Sequence, residues 1–351
     1  MTTKPIAFSL VAGLAIGVVI SPDNCSADED ENFYKGKQIQ LIVSADVGGA
    51  YDTYARLISQ HMGNHIAGNP SFVVQNMVGA GGIRAANYMY NIAPRNGTVI
   101  AATHSSIPVA PLTSPKVAEY DANKMNWLGS VSKDPYIAYV WHTAPIQSIE
   151  DGKLREITMG GTAVGAAGVD MVIIANELFG FKFKIVSGYK GSAEVKLAME
   201  RGEVHGTFAN PLGDLKSTKP EWLKEGKVRI LSQFGLEKHS EIPDVPLFID
   251  QAKTKEDRQL LELLLARQDA SKPYLAPPEV PAARVAILRR AFDATMNDPK
   301  FVIATEKAQL AVDGPMTGEQ LAALTTKLSE TPASVVKRIN DIFAKFRAEG
   351  K

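Results

Sequence analysis

The chain has 351 residues, of which 45% are hydrophobic and 22% are charged, a composition typical of a globular protein with one large domain or two lobes. Lysine plus arginine and aspartate plus glutamate both number 38, so the formal net charge is zero. A neutral chain gives no reason to expect nucleic acid or an anionic membrane as a partner.

The N-terminal segment has the pattern of a secretory signal. Lys4 precedes the apolar run 6–20, Pro22 interrupts it, and small residues end the segment at Ala27. We predict a cleavable signal peptide over 1–27 and export of the mature chain. A membrane anchor is the alternative, but the run is short for a bilayer. Cys25 is the only cysteine, so cleavage after Ala27 would leave no thiol and no disulfide.

The first part of the mature chain alternates strands and helices. Tyr54, Leu57, Ile58 and Met62 share one helical face. We predict strands over 38–45, 71–77 and 98–104, helices over 51–66 and 83–93, a glycine loop at 78–82 and a turn at 94–97.

The same alternation resumes after a segment, 128–141, that we interpret as the division between two lobes. We predict strands over 155–160, 181–187, 203–210 and 227–235, helices over 169–179 and 192–201, and further helices over 254–268, 281–298, 299–311 and 317–330. Ser192 is the predicted N-cap of its helix, Gly180 and Gly202 are helix stops, and 271–280 is an extended return segment. This alternation favours mainly parallel sheets with helices on both faces.

Glycine-rich loops follow several of these strands, where α/β proteins bind ligands. Each precedes a helix start, which offers unpaired N–H groups to a carboxylate or phosphate. The alternative is that the glycines only make tight turns. The loops are 44–52, 79–82, 103–106, 160–165 and 189–192, with Asn210 after another strand.

Signatures of enzymes, metals and cofactors are missing from the sequence. The glycine loops lack the spacing of a dinucleotide fingerprint and the lysine of a P-loop. His61 and His65 have i, i+4 spacing but no third ligand, so a structural helix face is the favoured interpretation. His104 and His205 lie near strand ends without a nucleophile motif. We therefore expect a binding protein with no catalytic residue, metal or cofactor.

A family resemblance extends from about residue 33 to 346. The segments "GKQIQLIVSADVGGAYDTYARL", "FVVQNMVGAGGIRAANYMYNIAPRNGTVI" and "GYKGSAEVKLAMERGEVHGTFAN" occur in order with matching spacing. In these segments the chain resembles the substrate-binding proteins of tripartite tricarboxylate transporters, the Bug family of periplasmic receptors. The resemblance implies a type II periplasmic-binding-protein fold, in which two α/β lobes joined by crossover strands close on a ligand. Lobe one would be 31–132 plus 248–351, and lobe two 133–247.

The resemblance also implies which residues hold the ligand's carboxylate. They would be Val47, Gly48, Gly49, Gly81 and Thr103 of the first lobe, and Gly161, Thr162, Tyr189, Gly191 and Asn210 of the second. To these we add Tyr51 as an aromatic ring at the cleft mouth. We also add Asp52, as an organiser of its loop in preference to a direct contact, because its charge competes with a bound anion at the same helix end.

Departures from the family pattern bear on the ligand. Family members often carry Gly or Thr where Ala50 and Tyr51 stand, and an aspartate where Ala209 stands. The changes favour an acid without an amine, with an aromatic or apolar body. Arg84 and Lys190 are candidates for a second acid group, although solvated surface positions are the more common role of such residues.

The resemblance implies a monomeric receptor that passes a small organic acid to one large and one small permease subunit. Two alternatives stay open at this point. In one, the closed receptor signals through a sensor kinase without transport. In the other, the chain is a secreted α/β enzyme.

Overall fold

The computed structural model describes residues 1–2, 32–133, 135–162, 166–308, 310 and 312–348, without the side chain of Arg267. The predicted signal peptide lies outside the described residues, except for its first two. In the described part of the chain, no helix combines the length and apolarity needed to cross a bilayer.

The eight predicted helices are all present, in the predicted order, and the described residues form four others that were not predicted. The α-helices are α1 Ala50–His61, α2 Ile83–Asn91, α3 Ala110–Thr113, α4 Ala167–Phe179, α5 Ser192–Glu200, α6 Leu212–Thr218, α7 Pro220–Lys224, α8 Lys255–Asp269, α9 Ala282–Met296, α10 Pro299–Lys307, α11 Gly318–Ser329 and α12 Ala333–Ala348. The short helices α3, α6 and α7 were not predicted, and neither was α12, although α12 buries Val335, Ile339 and Ile342 on one face.

The strands form two sheets. They are β1 Gln38–Val43, β2 Ser71–Asn76, β3 Val99–Ala102, β4 Asn126–Ser130, β5 Tyr136–Trp141, β6 Ile157–Gly160, β7 Phe183–Val186, β8 Gly206–Pro211, β9 Val228–Phe234, β10 Pro273–Ala276 and β11 Met316–Thr317. The first sheet has the order β11-β4-β10-β3-β1-β2, and the second β7-β6-β8-β5-β9.

Both sheets are mixed, which corrects the expectation of mainly parallel pairing. Strands β2, β1 and β3 are parallel, as are β7, β6 and β8. Strand β10 runs antiparallel to β3 and β4, and β5 runs antiparallel to β8 and β9. The parallel pairs are those joined by helical crossovers, whereas β5 and β10 are the strands at which the chain enters a sheet from the other one.

The chain crosses between the sheets twice, after β4 and before β10, and the two crossings lie side by side. The Val131 N–H donates to the Lys272 carbonyl at 3.2 Å, and the Lys272 N–H donates to the Ser130 hydroxyl at 3.1 Å. These paired crossings join the two halves of the molecule at one edge of the space between them.

The helices after β9 pack on both halves. Phe248 lies in a cluster of aromatic rings with Phe208 and Phe234 of the second sheet, with centroid separations of 5.5 and 4.8 Å. Helix α12 joins the same core through Val335 and Ile339. The predicted lobe boundary at 248 therefore falls inside a stretch that packs against the second sheet, and the boundaries stay predictions.

Candidate functional site

The loops after β1, β2 and β3 enclose a cavity of about 390 Å³ at the carboxyl edge of the first sheet. Its lining, which we call the first half-site, is Ser44, Ala45, Asp46, Gly49, Ala50, Tyr51, 78–82 and His104. Parallel strands bring these loops together because their carboxyl ends meet at one edge.

Asp52 fixes the conformation of the first of these loops. Its carboxylate is buried and accepts the Gly48 N–H at 2.9 Å, Arg56 Nε at 2.8 Å and Asn76 Nδ2 at 2.9 Å. Burial alone would raise the pKa of this carboxyl, but the hydrogen bonds from Arg56, Gly48 and Asn76 outweigh burial and lower the pKa to about 2. Asp52 therefore stays charged and holds the loop in shape.

Tyr51 forms a wall of the first half-site and ties it to the crossing segment. Its hydroxyl donates to the Ser271 carbonyl at 2.8 Å and accepts the Ser105 N–H at 3.3 Å. Its ring lies 4.6 Å from the His104 ring, centroid to centroid. The predicted aromatic ring is therefore part of the cavity lining.

His104 and Ser44 belong to this wall but were not among the predicted site residues. His104 Nδ1 lies 2.9 Å from the Ser44 hydroxyl. Gly82, with φ +91°, makes the contact possible, because a Cβ at that position would lie 2.8 Å from His104 Nδ1. The position of His104 at a strand end was visible in the sequence, but its place beside Tyr51 depends on the sheet order.

A second cavity of about 170 Å³ lies at the carboxyl ends of β6 and β8 in the second sheet. Its lining, which we call the second half-site, includes Gly161, Thr162, Asn210, Tyr139, 166–168 and Ser192. Helices α4 and α5 begin here, so two helix N-termini with unpaired N–H groups border the cavity. Such a border suits an anion.

A buried ion pair lies beneath the second half-site. The Lys196 ammonium on α5 donates to Asp214 Oδ2 at 2.7 Å and to the Thr218 hydroxyl at 2.5 Å. The Asn210 amide donates to the same Asp214 oxygen at 3.1 Å and to the Tyr139 hydroxyl at 3.4 Å. Burial raises the pKa of Tyr139, so its phenol stays neutral.

Each half-site contains an alanine in a left-handed backbone conformation. Ala80 has φ +48° and Ala209 has φ +46°. Non-glycine residues rarely adopt this conformation, and such strain clusters at functional sites.

A third cavity, of about 650 Å³, borders both half-sites. It shares Ala50 with the first and Pro211 with the second. Lys272 reaches into it from the second crossing, and its ammonium donates to the Ser271 hydroxyl at 2.9 Å and the Ser132 hydroxyl at 3.2 Å. We call the three cavities, whose linings come from both halves of the molecule, the cleft.

Contacts near one end of the cleft join the two halves. His239 Nε2 lies 2.9 Å from Asp313 Oδ2, and the Lys133 N–H donates to the Asp313 carbonyl at 2.7 Å. His239, Glu241 and Asp313 are close enough to hold a metal ion. However, the Lys216 ammonium lies 2.5 Å from Glu241 Oε2 and already neutralises this carboxylate.

The predicted site residues divide into two groups. Gly49, Tyr51 and Gly81 line the first half-site, and Gly161, Thr162 and Asn210 line the second. The other six fall outside both linings: Val47, Gly48, Asp52, Thr103, Tyr189 and Gly191.

The packing explains why some of the predicted residues lie outside both linings. Val47 is 72% exposed at the loop tip, and Thr103 is fully buried with its hydroxyl donating to the Pro273 carbonyl at 3.1 Å. Gly191 is the N-cap of α5, which corrects the prediction of Ser192, and no side chain caps this helix. The Arg84 guanidinium turns back to the Val78 carbonyl at 3.3 Å.

Comparison with solved structures supports the fold. A TctC solute binding protein from Polaromonas matches with a TM-score of 0.68 at 17% identity, covering 87% of this chain and 99% of that one. MatC from Rhodopseudomonas palustris with bound malate matches with a TM-score of 0.54 at 19% identity, covering 88% and 99%. R. palustris Rpa4515 with adipate matches with a TM-score of 0.55 at 19% identity, covering 88% and 97%.

Sequence comparison identifies the family. A UPF0065 protein of Cupriavidus necator is 24% identical over 241 residues, which are 67% of this chain and 69% of that protein. The model of the tripartite tricarboxylate transporter family receptor, TctC, matches residues 54–340. This match covers most of the chain, including the second half-site and the 78–82 and His104 part of the first. The chain therefore belongs to the TctC receptor family, a family of solute receptors and not of enzymes.

Proposed function

We propose that this protein is a periplasmic receptor that binds a small organic carboxylate in the cleft and delivers it to a tripartite tricarboxylate-type permease. The observation that carries the proposal is the pair of half-sites, one at each sheet, each bordered by glycine loops or helix N-termini. Neighbours of the same fold hold malate and adipate, which are both carboxylates.

The carboxylate would be bound by N–H groups and hydroxyls of both half-sites. Gly49 and Gly81 would approach from one side, and Thr162 and Asn210 from the other. In this proposal the predicted lobes, 31–132 plus 248–351 and 133–247, close by hinge motion at the paired crossings. Closure would shorten the distance across the third cavity and remove the ligand from water.

Thermal melting of the mature protein tests the binding step, because a ligand that binds only the folded state raises the melting temperature. Mass spectrometry of gently purified protein would identify a retained acid. A panel containing malate and adipate should include at least one acid that shifts the melt by several degrees. If no acid in the panel shifts it and none is retained, carboxylate binding is wrong.

Two matched glycine variants localise the site. Gly81 and Gly36 both have left-handed φ angles, of +61° and +70°, and a Cβ at either would meet no atom within 4 Å. Gly81→Val and Gly36→Val should therefore cost similar stability. Only Gly81→Val should abolish the acid-induced shift, since only Gly81 lines the first half-site.

Delivery to a permease needs a separate test. Uptake of the labelled acid by cells lacking the gene should fall to background and should recover with the wild-type chain, but not with Gly81→Val. Unchanged uptake without the receptor would contradict the transport role and leave the binding role intact.

A further inference from the structure

Lys196 is almost completely buried, with 2% exposure, although its ion-pair partner Asp214 lines the third cavity. Its ammonium has acceptors in the Asp214 carboxylate and the Thr218 hydroxyl. A buried ion pair gives little net stability compared with apolar residues of the same volume. The contact of this pair with Asn210 indicates a role other than stability.

The pair determines how the Asn210 side chain is oriented. Asp214 is ion-paired, so its carboxylate accepts hydrogen bonds and has none to donate. The group 3.1 Å from Asp214 Oδ2 must therefore be the amide nitrogen of Asn210 and not its oxygen. The same nitrogen lies 3.4 Å from the Tyr139 hydroxyl, so the oxygen occupies the other position on the amide carbon, away from these two partners.

The oxygen is the atom of the Asn210 amide that remains for a ligand. Among the described residues, both hydrogen bonds of this amide use its nitrogen, and the oxygen is not one of the sealed buried atoms that lack a partner. Asn210 lines the second half-site. An acceptor whose orientation is fixed through the nitrogen is thereby available to whatever binds there.

We propose that Lys196 and Asp214 are positioning residues that present the Asn210 oxygen to the ligand, and that the receptor consequently selects acids carrying a hydroxyl group. This inference rests on the proposed carboxylate-binding function and specifies its ligand. A hydroxyl can donate to the oxygen, whereas a bare methylene leaves the acceptor unpaired on closure.

An ammonium fits this position less well than a hydroxyl. Asp214 is neutralised by Lys196, and the residue preceding Asn210 is an alanine that supplies no carboxylate. An amine buried against a neutral amide oxygen would lose its hydration without gaining a counter-charge.

Succinate, malate and aspartate test the inference, because they share one skeleton and carry hydrogen, hydroxyl or ammonium at the same carbon. Titration calorimetry should show malate binding about tenfold more tightly than either of the others, as for one hydrogen bond of about 1.4 kcal/mol. If these acids do not bind, the same comparison is made with butyrate and 3-hydroxybutyrate, adipate and 2-hydroxyadipate, and benzoate and 4-hydroxybenzoate.

Variants separate the positioning role from a structural one. Asp214→Asn lets position 214 donate, so Asn210 can turn over, and the hydroxyl preference should fall to about twofold or less. Asn210→Leu should also abolish the preference. The control is Lys219→Met, which removes a neighbouring 2.7 Å ion pair with Glu200 of α5 and touches neither Asn210 nor the half-sites. It should preserve the preference.

The ratio of two affinities is the readout because loss of folded protein changes both affinities equally. A ratio near one in the wild type, tighter binding of aspartate than malate, or an unchanged ratio in Asp214→Asn would overturn the inference while acid binding stands. If no acid in any pair binds, the proposed function itself fails and this inference with it.

Discussion

The two half-sites orient polar groups toward one cleft by different physical means. In the first, the buried member of the ion pair is the anion, because the Asp52 side chain is 2% exposed and that of Arg56 is 45% exposed. In the second, the buried member is the cation, because the Lys196 side chain is 2% exposed and that of Asp214 is 26% exposed. Because water can take the place of Arg56 more easily than that of Lys196, loss of the cation should be tolerated better in the first half-site than in the second.

Removal of the buried cation should give the largest effect. Lys196→Met leaves the Asp214 carboxylate without its counter-ion, at a cost of about 3 kcal/mol, the lower end of the range for a buried pair, because this carboxylate is 26% exposed. Urea unfolding at neutral pH measures the change, with Lys219→Met expected to cost less than about 1 kcal/mol as a surface pair. If Lys196→Met and Lys219→Met lower the free energy of unfolding equally, the distinction between the buried and the surface ion pair is wrong.

Asp52 should make the first half-site sensitive to acid. Its folded pKa of about 2 lies below the ordinary value of 3.8. The ionised Asp52 therefore stabilises the folded state by about 2 kcal/mol above the ordinary pKa, and this stabilisation is lost as the pH falls toward 2. Asp52→Asn should be less stable at pH 7 and should lose this part of the acid dependence. Parallel pH profiles of the free energy of unfolding for both proteins would contradict the assignment.

Tyr51 should affect binding more than folding. Tyr51→Phe removes the bond to Ser271 and the acceptor for the Ser105 N–H, at a cost of about 1 kcal/mol. Tyr51→Ala also removes the wall beside His104 and should weaken acid binding about tenfold or more. Calorimetry and urea unfolding of both variants separate the two effects. Wild-type affinity in Tyr51→Ala would remove Tyr51 from the site.

The strained alanines should give the smallest effect. Ala80→Gly and Ala209→Gly relieve a left-handed conformation and should each raise stability by up to about 1 kcal/mol. Thermal melting measures this gain. A loss of stability in both would show that the alanine methyl groups contribute more by packing than they cost by strain.

The fold was largely predictable where pattern and turn chemistry are local. Gly180 ends α4 in a left-handed conformation, as predicted, and strands β1 to β3 occupy the predicted segments. Strands β4 and β5 were not predicted, because the segment that contains β5 and part of β4 was interpreted as the division between the lobes. Their antiparallel partners are distant in the sequence, and no local periodicity specifies such pairing.

The site was predictable to the level of its loops, but not of its side chains. The glycine loops predicted at strand ends line cavities at both sheets, and their role in binding stays a prediction. Thr103 follows the same rule, but its hydroxyl is used by Pro273, 170 residues away, through a strand pairing that the sequence does not specify. His104 was missed for the related reason that its contact with Tyr51 joins two loops. The orientation of Asn210 depends on Lys196 and Asp214, which precede and follow it in different helices.

A crystal structure with the tightest-binding acid tests the central claim most directly. Our account predicts one carboxylate in contact with both half-sites, with Gly49 or Gly81 on one side and Thr162 or Asn210 on the other, in a closed cleft. An acid bound to a single half-site in an open cleft, or bound outside the cleft, would contradict it.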